Sequence, residues 1–300
     1  MQTIYSGNVD FLTALYDPSK GAVHLFIQEG STTIYTASHD AGATWTAGAA
    51  LKFSFAPFKS AIPAVGTGIA LAGALCSEST CSGDAGRLVA PFICTDAAAP
   101  APAAGPGDVS CPGCHSCLLL SDDNGNSWHL AAASVQDGSR EASLVQLRMP
   151  SSAHALIYAN ERNMGDRNAT GQRWHAVSID GGATFDATRY AFDPILPDGV
   201  TANWTGVVSG TSRFDAATAA PRLVFTAPAS RTARAGLTVY VSLDEATSWK
   251  VGAALWPGPS AYSSTFQINA THVGVLFENG EAEFAQRISF LALSLDDLGA

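Results

Sequence analysis

The sequence predicts an all-β chain assembled from a repeated strand–turn–strand unit. Three observations carry that prediction. Strand-type periodicity runs along almost the whole chain, and no long segment has helical amphipathicity. A short motif recurs four times, each copy following an apolar run. The 300 residues include 28 glycines and 15 prolines, which break the chain into short pieces. A parallel α/β fold needs crossover helices and is excluded on the same grounds.

Taken in order, β-rich runs fall at Thr32 to Ser38, Arg87 to Cys94, Ser116 to Ser121, Ala142 to Leu147 and His154 to Asn160. They continue at Pro221 to Thr226, Leu237 to Ser242, His272 to Phe277 and Arg287 to Leu295, and turn residues follow most of them. The motif first reads Ser38-His-Asp40-Ala-Gly42-Ala-Thr44-Trp45. It returns as Ser121-Asp-Asp123-Asn-Gly125-Asn-Ser127-Trp128 and as Ser178-Ile-Asp180-Gly-Gly182-Ala-Thr184-Phe185. The fourth copy, Ser242-Leu-Asp244-Glu-Ala246-Thr-Ser248-Trp249, has lost its glycine. Its residue types suit a corner between strands. The Asp side chain bonds backbone amides of its own turn, Gly supplies a positive φ, and the aromatic packs back on the sheet. All four copies are therefore expected to hold hairpins and to carry no chemistry. The copies start 83, 57 and 64 residues apart. Four-stranded propeller blades of about 40–50 residues, with loop insertions, fit those intervals.

Composition narrows the function classes. Charged residues are 14% and hydrophobic residues 47%, which excludes a disordered chain. The net charge of −10, without a Lys/Arg run, excludes a duplex nucleic-acid binder. The longest apolar tract, Val65 to Cys76, is interrupted by Gly66, Thr67, Gly68 and Gly73, so no transmembrane segment is expected. Met1 to Asp10 lacks the basic start and apolar core of a signal peptide.

All six cysteines lie between Cys76 and Cys117, around an Ala/Pro-rich segment, Ala97 to Gly107. Such a cluster reads as a disulfide-tied surface insertion, spanning about residues 76–117 of a single domain over 1–300. Cys111-Pro-Gly-Cys114-His115 also matches a haem-attachment pattern and, with Cys117, a zinc knuckle. Both need further ligands, so neither a metal nor a cofactor is expected. Three sequons, at Asn168, Asn203 and Asn269, agree with the secretory route, whether lysosomal, extracellular or cell-surface. With no signal peptide visible, the expectation is that Met1 is not the natural start or that the chain is a fragment.

The four motif copies resemble the Asp-boxes (BNR repeats) of sialidases, which are six-bladed β-propellers. Further segments resemble that family in the same linear order. Gly86-Arg87-Leu-Val-Ala-Pro91 is similar to the strand before the second box. Arg140-Glu141-Ala-Ser-Leu-Val-Gln-Leu147 is similar to the segment bearing the catalytic Glu, and Tyr158-Ala-Asn-Glu161-Arg162-Asn163 to that bearing the second substrate arginine. Arg234-Ala-Gly-Leu-Thr-Val-Tyr240-Val-Ser242 resembles the strand with the third arginine. Gly258-Pro-Ser-Ala-Tyr262-Ser263 resembles the nucleophile segment, and Val273-Gly-Val-Leu-Phe-Glu278-Asn-Gly280 the strand after it.

The resemblance implies an exo-α-sialidase of retaining type acting on sialylated glycoproteins, glycolipids or oligosaccharides. Tyr262 is then the nucleophile, Glu141 its base, Arg162 and Arg234 the carboxylate grip, and Glu278 the group that holds an arginine in place. The chemistry is coherent. Sialic acid carries a carboxylate on its anomeric carbon, which repels a carboxylate nucleophile, and sialidases use tyrosine instead. A free phenol has a pKa of about 10 and needs a neighbouring base. Arginines grip a carboxylate through bidentate, charge-assisted bonds, so an acidic protein can bind an acidic sugar. Each residue has a plainer alternative: Tyr262 as a strand aromatic, Glu141 as a turn residue, Glu278 as an exposed strand end. Glu161 rivals Glu141, and Arg167 and Arg231 rival the two arginines.

One departure is large. The family opens with an Arg-Ile-Pro strand and then a loop carrying an Asp general acid. Here no arginine precedes Arg87, and only Asp10 and Asp17 are available near the start, in surroundings that do not match the acid's loop. A glycan-binding or scaffold propeller without catalysis is the second reading, and an Asp-box protein of unrelated function the third.

Overall fold

The computed structural model describes residues 3–72, 85–99, 113–131, 139–148, 156–163, 172–185, 191–198, 206–215 and 222–298. Cys76, Cys81, Cys111, Arg167, Asn168, Asn203 and residues 100–107 of the Ala/Pro segment lie outside them.

The described strands form five successive antiparallel meanders. The first is β1 (Phe11–Asp17), β2 (Ala22–Glu29), β3 (Thr32–Ser38) and β4 (Ala49–Ala50). The second is β5 (Phe58–Pro63), β6 (Thr67–Ala70), β7 (Leu88–Asp96), β8 (Cys114–Ser121) and β9 (His129–Leu130). The third is β10 (Ser139–Leu147), β11 (Leu156–Asn163), β12 (Gln172–Ser178) and β13 (Ala191–Pro197). The fourth contains β14 (Thr211–Phe214), β15 (Arg222–Pro228), β16 (Ala235–Ser242) and the first half of β17 (Lys250–Asn269). The second half of β17 opens the fifth, with β18 (His272–Asn279) and β19 (Arg287–Ser294). Because β1 pairs with β6 in parallel and β17 is shared, the five meanders merge into sheets of nine, four and six strands among the described residues. Helix among those residues is one 3-10 turn at Asp296–Leu298, and the all-β expectation holds. Among the described residues, each of the nine β-rich runs overlaps a strand, while His154, Ala155 and Pro221 lie outside the described residues.

Each box sits between the last two strands of a meander. In the first, Ser38 Oγ donates to Asp40 Oδ1 (2.8 Å) and accepts from Gly42 N (2.8 Å). The Asp40 carboxylate accepts from Thr44 N (2.7 Å) and Thr44 Oγ1 (2.6 Å). The same bonds recur around Asp123, Asp180 and Asp244. The motif Ser and Asp of each box, and the Thr or Ser that follows them, are thus engaged within their own turn. The Thr44 hydroxyl and amide hold Asp40 down to about 2, and Ser127 holds Asp123 low in the same way. Burial alone would raise Asp244, but bonds from the Ser248 hydroxyl and amide outweigh it. A carboxylate held low when folded stabilises the fold above its ordinary pKa and stops doing so as pH falls through the folded value. Stability in denaturant titrations is therefore expected to fall between about pH 4 and pH 2, and less steeply in the triple variant Asp40→Asn, Asp123→Asn, Asp244→Asn.

Two consecutive positions of each box have positive φ: Ala41 and Gly42, Asn124 and Gly125, Gly181 and Gly182, Glu245 and Ala246. The copy without glycine thus forces Ala246 to φ 64°. Ala246→Gly is expected to raise stability by about 0.5–1 kcal/mol in urea denaturation.

One buried cluster seals each pair of neighbouring meanders. Leu15 and Phe26 meet Leu88, Phe92, Leu119 and Trp128 between the first and second. Val89, Leu118 and Leu120 meet Leu144, Ile157 and Ala176 between the second and third. Val145, Leu147 and Tyr158 meet Phe225, Tyr240 and Trp249 between the third and fourth, and Leu237 and Val239 meet Val273, Val275 and Phe277 between the last two. The aromatics that end the second and fourth boxes, Trp128 and Trp249, point into these seams, as Phe185 of the third does from the edge of its cluster.

A disulfide joins Cys94 on β7 to Cys117 on β8, and Cys114 is also disulfide-bonded. That removes Cys114 and Cys117 from any thiolate set for zinc or haem. Asn269 of the third sequon lies exposed at the β17–β18 turn, where its Oδ1 accepts from Thr271 N (2.9 Å). Among the described residues no helix is long and apolar enough to cross a membrane.

Candidate active site

The innermost strands of the meanders lie side by side and run in one direction. β1 and β6 pair in parallel, Ala14 opposite Thr67. Gly66, just before β6, lies so close to Ala142 on β10 that a Cβ there would overlap the Ala142 carbonyl. Ser143 Oγ donates to Ser209 O (2.7 Å), joining β10 to the segment that leads into β14. Ser263 N donates to Val208 O (3.1 Å), joining that segment to β17. These small residues let five backbones crowd together, and they gather the leading ends of the strands on one rim: Gly66, Glu141, Val208 and Tyr262. Glu141 and Tyr262 thus flank the same short segment, 206–209.

Both are bulge residues. Arg140 pairs with Arg162 and Ala142 with Glu161, so Glu141 is the extra residue in β10. Its φ is 53°, and it is 4% exposed. Ser260 pairs with Asn279 and Ser263 with Phe277, so Ala261 and Tyr262 face Glu278 alone. A bulge re-aims a side chain out of the regular alternation, and a non-glycine residue at positive φ costs on the order of 1–3 kcal/mol. That strain falls on a residue the sequence singles out for chemistry.

Two candidates, Arg234 and Glu278, meet Tyr262. The Arg234 guanidinium lies over the Tyr262 ring at 5.5 Å and over Phe284 at 4.9 Å. Arg234 is 8% exposed, and its Nη2 donates to Gly206 O (3.1 Å). Glu278 Oε2 accepts from Tyr262 N (3.4 Å), so these two candidates are in contact. Arg231, its rival, is exposed. Arg162 is placed by its backbone on β11, opposite Arg140, at the end of the strand nearest the bulge; the side chains of Glu161 and Arg162 and all of Arg167 lie outside the described residues.

The residues near the start are engaged elsewhere. Asp10 Oδ2 accepts from Gly30 N (2.9 Å). Asp17 is buried and accepts from Ser19 N and Oγ. Arg87 bridges two boxes, from its Nε to Asp122 (2.6 Å) and from its Nη1 to Gly181 O (3.0 Å). A cleft of about 330 Å³ opens at the trailing end of the inner strands, beside Ile69, Gln146, Arg213 and Phe266, away from all the candidate residues.

A family model, the BNR repeat-like domain, matches residues 11–275. The chain belongs to the BNR repeat-like family. The kinship with BNR-repeat sialidases that the motifs suggest is borne out by its relatives. A sialidase of Micromonospora viridifaciens is 30% identical over 163 residues, 54% of this chain and 23% of that protein. Among solved structures, the Hadza microbial sialidase Hz136 superposes with a TM-score of 0.70 at 18% identity, over 96% of this chain and 52% of the other. Trypanosoma rangeli sialidase superposes with a TM-score of 0.67 at 15% identity, over 97% and 46%. At such identities the likeness is one of fold. This BNR-repeat chain spans about a quarter of the curated relative and about half of the sialidase structures.

Proposed function

We propose that this BNR-repeat protein is a retaining exo-α-sialidase. The five described meanders are blades of one β-propeller domain of the six-bladed sialidase type over residues 1–300, with insertions around β7 within about 76–117, and the protein acts in the secretory pathway on sialylated glycans. The observation that carries the reading is the group at Tyr262: a tyrosine on a bulge, an almost buried arginine over its ring, a glutamate at its amide, and a strained, buried glutamate across segment 206–209. Trypanosoma rangeli sialidase, of similar fold, has been solved in complex with sialic acid.

In the proposed reaction Arg162 and Arg234 hold the sugar carboxylate. Glu141 takes the Tyr262 proton as the phenolate oxygen attacks the anomeric carbon and the aglycone oxygen leaves. Water then hydrolyses the glycosyl–tyrosine bond with the proton transfer reversed. Glu141→Gln is expected to lower kcat by about 10²–10⁴-fold.

The leaving group tests the reading. With Asp10 and Asp17 bound into turns, a sugar-alcohol leaving group receives no proton from either. A phenol-type leaving group does not need one, and general-acid help is worth about 10²–10⁴-fold. The 300-residue chain should therefore hydrolyse aryl α-sialosides slowly and sialyl-galactosides hardly at all. Equal rates on both would mean that another residue is the acid. No hydrolysis of either, with sialyllactose binding by calorimetry, would replace the reading with the glycan-binding one, which the engaged Asp10 and Asp17 favour.

A further inference from the structure

Behind the rim, in the third meander, lies an ion pair that no motif singles out. Arg173, on β12, and Asp198, just past β13, are both fully buried, so neither can touch a sugar. Arg173 Nη1 donates to Asp198 Oδ1 and to Val207 O. The same Asp198 oxygen accepts from Val207 N at 3.3 Å. The carboxylate presses on Gly206 so closely that a Cβ there would lie 2.0 Å from Oδ2. The pair thus grips both backbone polar groups of Val207 and leaves room for nothing but hydrogen at Gly206.

The gripped segment serves the site on its far side. Gly206 O takes the bond from Arg234 Nη2, and Val208 O takes the bond from Ser263 N, next to Tyr262. Arg234 O in turn accepts from Ser260 N (2.9 Å). A continuous path runs from the ion pair through residues 206–208 to the guanidinium and to the tyrosine's strand.

We propose that Arg173 and Asp198 are positioning residues: they fix segment 206–208, and through it the placement of Arg234 over Tyr262. The inference rests on reading Tyr262 and Arg234 as site residues, and its test separates the two. A buried ion pair is a poor source of stability, and apolar replacement of both partners is often neutral or stabilising, whereas removing one leaves a buried charge. Arg173→Met combined with Asp198→Leu should therefore fold while losing the grip on Val207. Three readouts follow: thermal unfolding, the ¹⁹F spectrum of 3-fluorotyrosine-labelled protein, and kcat/KM on an aryl α-sialoside. The Tyr262 resonance is assigned by Tyr262→Phe, and its position without the guanidinium by Arg234→Ala.

The expected result is a cooperatively folded double variant whose Tyr262 resonance moves toward the Arg234→Ala position. Its kcat/KM should be about 10²-fold lower, as for a misplacement of about 1 Å. A folded double variant with an unmoved resonance overturns the proposal. Should that variant not fold, Arg173→Lys carries the same test, since lysine keeps the charge opposite Asp198 but is a point donor without the planar fork; an unmoved resonance there overturns it equally. If the resonance moves but the parent chain hydrolyses no sialoside, the positioning role stands and the sialidase reading falls.

Discussion

Tyr262→Phe is expected to lower kcat on aryl α-sialosides by about 10⁴-fold or more while leaving the protein's stability within about 1 kcal/mol. The substitution removes one oxygen and keeps the ring under the Arg234 guanidinium, where the attraction depends on the ring face. The backbone bond from residue 262 to Glu278 is also retained. Arg234 therefore stays in place, and affinity for sialic acid in calorimetry should change by less than about threefold. On the proposed reading what disappears is the covalent route, and losing a nucleophile costs several orders of magnitude where the rest of the site is intact. Tyr262→Ala, by contrast, should weaken binding as well, because the guanidinium loses a face to lie on. Activity surviving Tyr262→Phe would show that the nucleophile lies elsewhere.

The second large effect concerns stability. Trp128→Ala is expected to cost about 3–5 kcal/mol in urea denaturation, a large share of an ordinary domain's stability. Trp128 is 6% exposed and meets Phe26 at 4.8 Å, edge to face, across the seam between the first two meanders. Its Nε1 also donates to Gly125 O (3.1 Å), so truncation loosens the box as well. Trp45 makes the same bond, to Gly42 O (3.1 Å), but is only half-buried and belongs to none of the seam clusters. Trp45→Ala should cost about 1 kcal/mol. Equal costs would mean that the aromatic acts through its own turn rather than through the seam. Glycines give a parallel contrast: a Cβ on Gly125 meets Tyr35 Oη at 2.7 Å, whereas one on Gly42 finds only Trp45 at 3.9 Å.

The boxes were legible in the sequence because their chemistry is local: the Ser, the Asp and the Gly (Ala246 in the fourth copy) that make each turn lie within five residues of one another. Strands such as β3 and β16 were legible for the same reason, each an apolar run ending in a box. β17 was not, because Pro257, Gly258 and Pro259 read as a break. In the structure they mark the place where one strand changes partners, from Val241 and Leu237 on one side to Asn279 and Phe277 on the other. The bulges at Glu141 and Tyr262 left no trace either, since an extra residue is defined only against the strand it faces. The least legible feature was the Arg173–Asp198 pair. The two residues are 25 apart, in segments without any motif, and only folding makes them one group.

Because β17 runs unbroken from Lys250 to Asn269, the last two meanders have no joint at which to part. Native-state hydrogen exchange should find their amides opening as a single cooperative unit, with β15, β16 and β18 sharing one opening free energy. Tyr262 lies within that shared strand. Any subglobal opening that frays the final hairpin therefore dismantles the rim at Tyr262 at the same moment, so loss of the proposed activity on mild heating should coincide with opening of this unit rather than precede it.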